Sequence, residues 1–233
     1  MTGSFEMLGF AAVAFLVGHF LLSMGAVRRQ LVLRLGQPVF LGIYGVYATA
    51  TFIWLTLAYN RAPYEELWGD PLWARYMVII FMPFAVLLLV CGALTPMPAS
   101  VLGATALARE DPAPGIIKIT RHPVMWAIAL WAALHLVANG DGASTILFGT
   151  FLILALGGIS HMEARRDAEN DANWARFAAV TSVFPLGAVL DGRARVDLGE
   201  IGWWRLGVGV VVYFVLLFGH GWAIDVRVAP ELF

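Results

Sequence analysis

The sequence predicts an all-α integral membrane protein, a bundle of about six transmembrane helices. Of its 233 residues, 60% are hydrophobic and only 13% are charged, and the hydrophobic residues gather in six separate runs. A soluble domain carries roughly twice that share of charge. The net charge of −1 gives no electrostatic reason to expect a nucleic-acid partner. The predicted partner is therefore the lipid bilayer.

Each of the six apolar runs approaches the length of a membrane span, which is about 20 residues with a range near 17–25. The predicted spans run from Leu8 to Val27, Val39 to Ala58, Tyr76 to Leu94, Val124 to Ala138, Ala143 to Ile159 and Trp203 to Ile224. The fourth and fifth spans are short, and Asn139-Gly140-Asp141-Gly142 between them is a strong turn signal. These two spans are predicted to form a tight helical hairpin that extends through Arg121 at one end and His161 at the other.

The connecting segments do not divide the chain, so residues 1–233 are predicted to form one domain. Thr95 to Pro114 contains four prolines and is predicted to be an extended connection. Asp167 to Phe184 is polar but carries apolar residues at helical spacing. That pattern predicts a helix on the membrane surface or packed under the bundle.

The basic residues predict the orientation of the bundle. All but three of the 15 Lys and Arg residues lie after the first, third or fifth span, the exceptions being Arg61, Arg75 and Arg227. Positively charged loops remain in the cytoplasm. Both termini are therefore predicted to lie on the outer side of the membrane.

The five histidines all lie within or beside predicted spans. They are His19, His122, His135, His161 and His220. One such histidine is readily explained as a hydrogen-bonded packing residue, but five in a small bundle suggest a ligand as well. Histidine is the commonest metal ligand and a usual axial ligand of haem iron. No H-E-x-x-H motif supports a zinc hydrolase, and Cys91, the only cysteine, excludes cysteine-based metal sites.

Depth along the helices limits which histidines can share a cofactor. With a rise of 1.5 Å per residue, His19 lies roughly 13 Å above Arg28, and His135 roughly 20 Å above Arg121. Helix tilt can absorb the difference of roughly 7 Å. These depths are compatible with His19 and His135 sharing one cofactor, but they do not single out this pair. His220, high on the sixth span, is a reserve ligand.

A second group of ionisable residues lies where the predicted hairpin has its two ends. Arg121 and His122 enter the fourth helix, and Glu163 leaves the fifth, so the hairpin brings the three together. Arginine suits a carboxylate or phosphate, and glutamate can hold a ribose hydroxyl or an ammonium group. Two interpretations follow: the polar end of a cofactor site, or a ring of salt bridges facing lipid headgroups.

Four stretches together resemble the NnrU family of bacterial membrane proteins. They are VGHFLLS, VFLGIYGVYATATFIWL, ITRHPVMWAIALWAALHLVANGD and ARFAAVTSVFP, and the likeness covers nearly the whole chain. The resemblance implies a bacterial inner membrane protein, linked by the family's name to nitrite and nitric oxide reductase expression. In that membrane the charge distribution places both termini in the periplasm. A relative, zeta-carotene isomerase, uses haem b for a cis-to-trans isomerisation. By this resemblance, His19 and His135 are the haem ligands, and the substrate is a hydrophobic small molecule.

A more distant resemblance implies another cofactor. Arg121-His122-Pro123, followed one hairpin later by Glu163, is similar to the isoprenylcysteine carboxyl methyltransferase superfamily. This implies S-adenosylmethionine held by Arg121, His122 and Glu163. That pattern expects an aromatic residue at Met125 and paired glutamates at His161-Met162-Glu163, and both departures weaken it. The favoured hypothesis is a haem-dependent, isomerase-like enzyme. The alternatives are a membrane methyltransferase and a non-catalytic accessory protein for respiratory enzyme expression or assembly.

Overall fold

The computed structural model describes residues 3–100, 103–169 and 171–224, so Arg227 and the C-terminal residue lie outside the described residues. Within these ranges nearly all regular structure is helical. The helices are α1 (Phe5–Ser23), α2 (Gly25–Leu35), α3 (Gln37–Tyr59), α4 (Leu72–Ala93), α5 (Ala104–Leu107), α6 (Pro123–Ala138), α7 (Gly142–Ala168), α8 (Ala172–Val180), α9 (Gly187–Leu190), α10 (Leu198–Ile201) and α11 (Trp203–Ile224). The predicted all-α, multi-pass membrane bundle is confirmed.

Five of the described helices are long and apolar enough to cross a membrane: α1, α3, α4, α7 and α11. The fourth predicted span corresponds to α6, which has only 16 residues. At 1.5 Å per residue it is roughly 24 Å long, shorter than a hydrocarbon core of about 30 Å. Pro123 suits its first turn, and Asn139 ends it. The other five predicted spans have spanning length.

The first predicted span is wrong at its end, because α1 stops at Ser23 rather than continuing to Val27. Met24 has an extended backbone (φ −56°, ψ 129°), and the chain begins a separate helix at Gly25. The predicted height of roughly 13 Å for His19 above Arg28 assumed one straight helix through both residues and is therefore wrong. His19 instead lies four residues, or roughly 6 Å, from the end of α1.

The predicted hairpin of α6 and α7 is confirmed. Asp141 caps α7 by accepting from Ser144 N at 2.9 Å, and Asn139 Nδ2 donates to His135 O at 2.8 Å. A short strand β1 (Glu66–Gly69) pairs antiparallel with β2 (Gly140–Asp141). The hairpin loop is thus tied to the connection between α3 and α4. The predicted extension of the two hairpin helices is confirmed at only one end. α7 continues through His161 and ends at Ala168. The extension of α6 through Arg121 is wrong, because His122 precedes a proline and has a non-helical backbone (φ −126°, ψ 57°), so α6 begins at Pro123.

The connecting segments at the other end of the bundle fold into a layer that we call the cap, formed by residues 95–100, 103–122 and 171–202. Its buried apolar residues Leu107, Ile117, Trp174 and Phe177 form a cluster with Cys91 of α4. The prediction of an extended connection from Thr95 to Pro114 is wrong in part, because α5 forms there and Leu107 is buried. The helix predicted after Asp167 is α8, and its aromatic residues pack under the bundle.

Candidate functional site

The three residues predicted at the ends of the hairpin lie together in the structure. Nε2 of His122 donates to Oε1 of Glu163 at 2.7 Å, and Nη1 of Arg121 donates to Oε2 of the same carboxylate. Only 2% of the His122 side chain, 13% of the Arg121 side chain and 15% of the Glu163 side chain is exposed. The pairing leaves each carboxylate oxygen with a charged or polar donor. Because these groups are buried, the pairing contributes to the stability of the fold, since an unpaired buried charge would destabilise it.

The guanidinium of Arg121 is occupied by several further contacts within the chain. Its Nε donates to Oγ1 of Thr181 at 2.9 Å, and its Nη2 donates to the carbonyls of Ala178 and Thr181 at 3.1 and 3.3 Å. Its Cζ lies 5.6 Å from the centre of the Trp174 ring. We call Arg121, His122, Glu163 and Thr181 the Arg121 network. Four of the five guanidinium N–H groups have acceptors within the chain.

The segment after α8 covers the start of α6. Backbone N of Arg121 donates to Ser182 O at 2.9 Å, and Leu186 N donates to Ile119 O at 2.7 Å. The carbonyl of Val183 accepts from Thr120 Oγ1 at 2.7 Å and from Trp126 Nε1 at 2.8 Å. A ligand that reaches Glu163 from the cap side must therefore displace this segment or the side chain of Arg121.

His19 lies on α1 against α3. Its Nδ1 donates to the carbonyl of Phe15 at 2.6 Å, since a carbonyl can only accept. The Nε2 lone pair is then free for a ligand, and Nε2 has no hydrogen-bond partner among the described residues. The ring contacts Phe15 at 4.3 Å and Tyr44 at 5.6 Å between centroids. Gly18 beside it makes room for Tyr47, because an added Cβ would lie 1.9 Å from Cε1 of that ring.

His135 has the same local arrangement on α6. Its Nδ1 donates to the carbonyl of Trp131 at 2.9 Å, so Nε2 again carries the lone pair. Its ring centroid lies 5.1 Å from Phe148 and 5.4 Å from Trp131. The ring of His220 on α11 lies 6.3 Å away, and its Nδ1 donates to Leu216 O at 3.2 Å.

His19 and His135 stand at opposite ends of a line of aromatic rings, which we call the histidine–aromatic row. Phe15 contacts Phe151 at 5.7 Å, and Phe151 contacts Trp131 at 5.3 Å. No direct contact joins the two histidine rings among the ring contacts of the described residues. Contacts with α7 give the depth of each histidine in the bundle. The His135 ring contacts Phe148. The neighbours of His19 on α1 contact α7 further along, Phe15 at Phe151 and Phe20 at Gly157. The difference in depth is about 10 Å at 1.5 Å per residue.

The structure therefore pairs His135 with His220 rather than with His19. The sequence contains only part of the signal for this pairing. His135 lies three residues before the end of the fourth predicted span and His220 four residues before the end of the sixth, which places the two at a similar depth but does not show that they face each other. In residues 3–100, 103–169 and 171–224, no three His, Cys, Asp or Glu side chains are grouped to hold a metal ion.

Residues 7–228 match the family described as NnrU protein. The match covers nearly the whole chain, which therefore belongs to the NnrU family. No curated protein and no solved structure matches the chain.

Proposed function

We propose that this membrane protein of the NnrU family binds haem b between its transmembrane helices through His135. The second histidine that would hold the haem is His19, which the family resemblance names, or His220, which lies beside His135. The function that follows is an isomerase-like or denitrification-associated enzyme acting on a hydrophobic small molecule from the bilayer. The observation that supports it most is the hydrogen bonding of the imidazoles of His19, His135 and His220.

Each of these imidazoles resembles a metal ligand in its hydrogen bonding. Metal-bound histidines usually donate their other ring N–H to a carbonyl or carboxylate, which fixes the tautomer and raises the basicity of the free nitrogen. Nδ1 of His19, His135 and His220 donates in this way to the carbonyl four residues earlier. The surrounding aromatic rings provide the apolar contacts that a porphyrin requires.

The fit to haem differs between the two candidate pairs. His19 and His135 do not fit one iron as they stand, because Phe15, Phe151 and Trp131 occupy the path between them. For His19 and His135 to bind the same iron, these three rings would have to move. His135 and His220 lie 6.3 Å apart between centroids, within reach of one metal centre. When bound, haem supplies a redox-active iron, and the protein supplies binding, orientation and electrostatics.

The test is the absorption spectrum of protein purified from cells supplied with haem. We expect a Soret band of non-covalent b-type haem that is lost or shifted in His135→Ala. A change in His19→Ala identifies the pair named by the resemblance, and a change in His220→Ala identifies the neighbouring pair. His161→Ala is the control, because Nε2 of His161 already donates to Ser23 O at 2.8 Å. A wild-type spectrum in His135→Ala would refute the proposal.

A second candidate function is S-adenosylmethionine-dependent methyl transfer at the Arg121 network. The grouping of Arg121, His122 and Glu163 favours it, whereas the pairing of both Glu163 oxygens and of most Arg121 N–H groups within the chain counts against it. Calorimetric titration with S-adenosylmethionine separates the two functions. Micromolar binding that disappears in Arg121→Lys and Glu163→Gln would replace the haem proposal. If neither haem nor S-adenosylmethionine binds, a non-catalytic accessory role remains.

We also propose that the cap lies in the cytoplasm and both termini lie in the periplasm of the bacterial inner membrane. The charge distribution supports this orientation, because the cap and α2 carry most of the basic residues. A reporter inserted at Glu110 should then be cytoplasmic. A reporter fused after Phe233, which lies outside the described residues, should be periplasmic. The reverse result would overturn the orientation.

A further inference from the structure

At the cap end, α1, α2 and α7 meet at a second basic site, which the Arg121 network does not include. The hydrogen bond from His161 Nε2 to Ser23 O, 2.8 Å long, fixes the end of α1 against α7. Arg165 follows His161 by one turn of α7, and Arg28 lies in the first turn of α2 beyond Ser23. The two arginines therefore lie on the two sides of the same helix junction.

Three arginines at this junction, Arg28, Arg165 and Arg166, share one carboxylate among the described residues, that of Glu169, which forms salt bridges with Arg165 and Arg166 but not with Arg28. Arg28 lies five residues after Ser23 and Arg165 four residues after His161, on the two sides of the hydrogen bond that joins α1 to α7, and Arg166 adds a third positive charge. Glu169 is the nearest acid, but its Oε1 lies 3.8 Å from Arg165 Nε and its Oε2 accepts from Arg166. Glu163 is already paired within the Arg121 network.

The Nε–H groups of both arginines are buried and have no hydrogen-bond acceptor within the described residues, as is also true of Arg166 and Arg205. Arg166 and Arg205 differ in that their Nη groups donate to acceptors within the chain. Cζ of Arg28 lies over the face of Phe40, 5.6 Å from the ring centroid. Buried polar groups in folded proteins are almost always hydrogen-bonded. Two buried cationic donors without acceptors therefore indicate that an anion completes the site.

The first three helices place no acid near this junction, because their one acidic residue, Glu6, lies at the opposite end of α1. No aspartate or glutamate occurs from residue 7 to residue 64. α2 has no buried residue and exposes Leu33 and Leu35 beside its arginines. A short helix with basic and apolar residues and no buried face is typical of helices at the membrane interface.

We propose that Arg28 and Arg165 bind the phosphate of an anionic phospholipid from the leaflet at the cap end. The guanidinium group matches phosphate oxygens with paired N–H donors. Basic pockets between transmembrane helices are suited to anionic headgroups, and the exposed Leu33 and Leu35 of α2 would give the acyl chains apolar contacts. Free phosphate shares the same headgroup chemistry but lacks acyl chains. The site is independent of the haem proposal, because it uses none of the histidines His19, His135 and His220.

The test is native mass spectrometry of the full chain in neutral detergent with phosphatidylglycerol. We expect one tightly retained phosphatidylglycerol, and no retained phosphatidylcholine with the same acyl chains. Arg28→Gln and Arg165→Gln should each weaken retention by roughly tenfold, since each removes charge-assisted hydrogen bonds. Arg34→Gln is the matched control, because it removes the same charge from the other end of α2. It should change retention by less than about twofold.

Three results would overturn the proposal. Equal weakening in Arg34→Gln would show that α2 attracts lipid only through its general charge. Unchanged retention in Arg28→Gln and Arg165→Gln would exclude the site itself. Displacement of the lipid by excess inorganic phosphate, with the same dependence on both arginines, would assign the site to free phosphate. If a glutamine variant fails to fold, Arg28→Lys and Arg165→Lys keep the charge without the paired donors and should also weaken retention.

Discussion

The Arg121 network and the histidine–aromatic row differ in how completely their polar groups are paired. In the network, both oxygens of Glu163 and most N–H groups of Arg121 have partners within the chain. In the row, His19 and His135 each use one ring nitrogen on a carbonyl of their own helix. A fully paired buried network makes a fold rigid and specific, whereas a free imidazole nitrogen is a ligand position. The comparison indicates a structural role for the first region and a ligand-binding role for the second.

The largest expected effect tests the structural role of the network. Glu163→Ala leaves the buried Arg121 and His122 without their carboxylate, which should cost about 3–5 kcal/mol in the free energy of unfolding. Denaturant unfolding in detergent, followed by circular dichroism, measures it. The matched control is Glu169→Ala, whose partners are also arginines but whose side chain is 45% exposed. The control should cost about 0–1 kcal/mol. Equal costs would contradict the comparison.

The next effect tests how tightly the row is packed around His19. Gly18→Ala places a Cβ against the ring of Tyr47. The overpacking should cost about 1–3 kcal/mol in the free energy of unfolding. Gly45→Ala on α3 is the control, because no atom lies within 4 Å of its added Cβ. It should be neutral or stabilising by up to about 1 kcal/mol. A neutral Gly18→Ala would mean that α1 and α3 are less closely packed.

A smaller effect concerns the segment that covers the start of α6. Trp126→Phe removes the donor to the carbonyl of Val183 but keeps an aromatic ring against Phe184. The lost hydrogen bond should cost about 0.5–1.5 kcal/mol in the free energy of unfolding. Trp73→Phe is a suitable control, because the Trp73 side chain is exposed on α4. An unchanged stability in Trp126→Phe would indicate that the segment is held by its backbone contacts alone.

The smallest expected effect on stability sharpens the comparison most. His220→Ala removes a half-buried ring whose recorded hydrogen bond is to its own helix. The free energy of unfolding should change by no more than about 0.5 kcal/mol. If His220 is nevertheless the second ligand of His135, the Soret band should shift in the same variant. A large loss of stability would instead make His220 a packing residue.

The sequence alone determined the helical membrane class and most of the spans. Apolar runs near spanning length require helices, because a bilayer offers no partner for backbone N–H and C=O groups. Asn139-Gly140-Asp141-Gly142 predicted the turn, so the hairpin and the meeting of Arg121, His122 and Glu163 followed from chain order. These features depend on composition and on separations along the chain, which a sequence contains directly.

Only the tertiary structure decided which histidines meet. Rise per residue gives depth along a helix but not the direction in which a side chain points across the bundle. The break at Met24 also changed the depth of His19, since an apolar run does not reveal a bend in its backbone. The partners of Arg121 in the segment after α8 were likewise hidden. Contacts between residues far apart in sequence depend on helix packing and on the rotation of each helix about its axis. Local sequence patterns contain neither, so they could not predict that His135 lies beside His220.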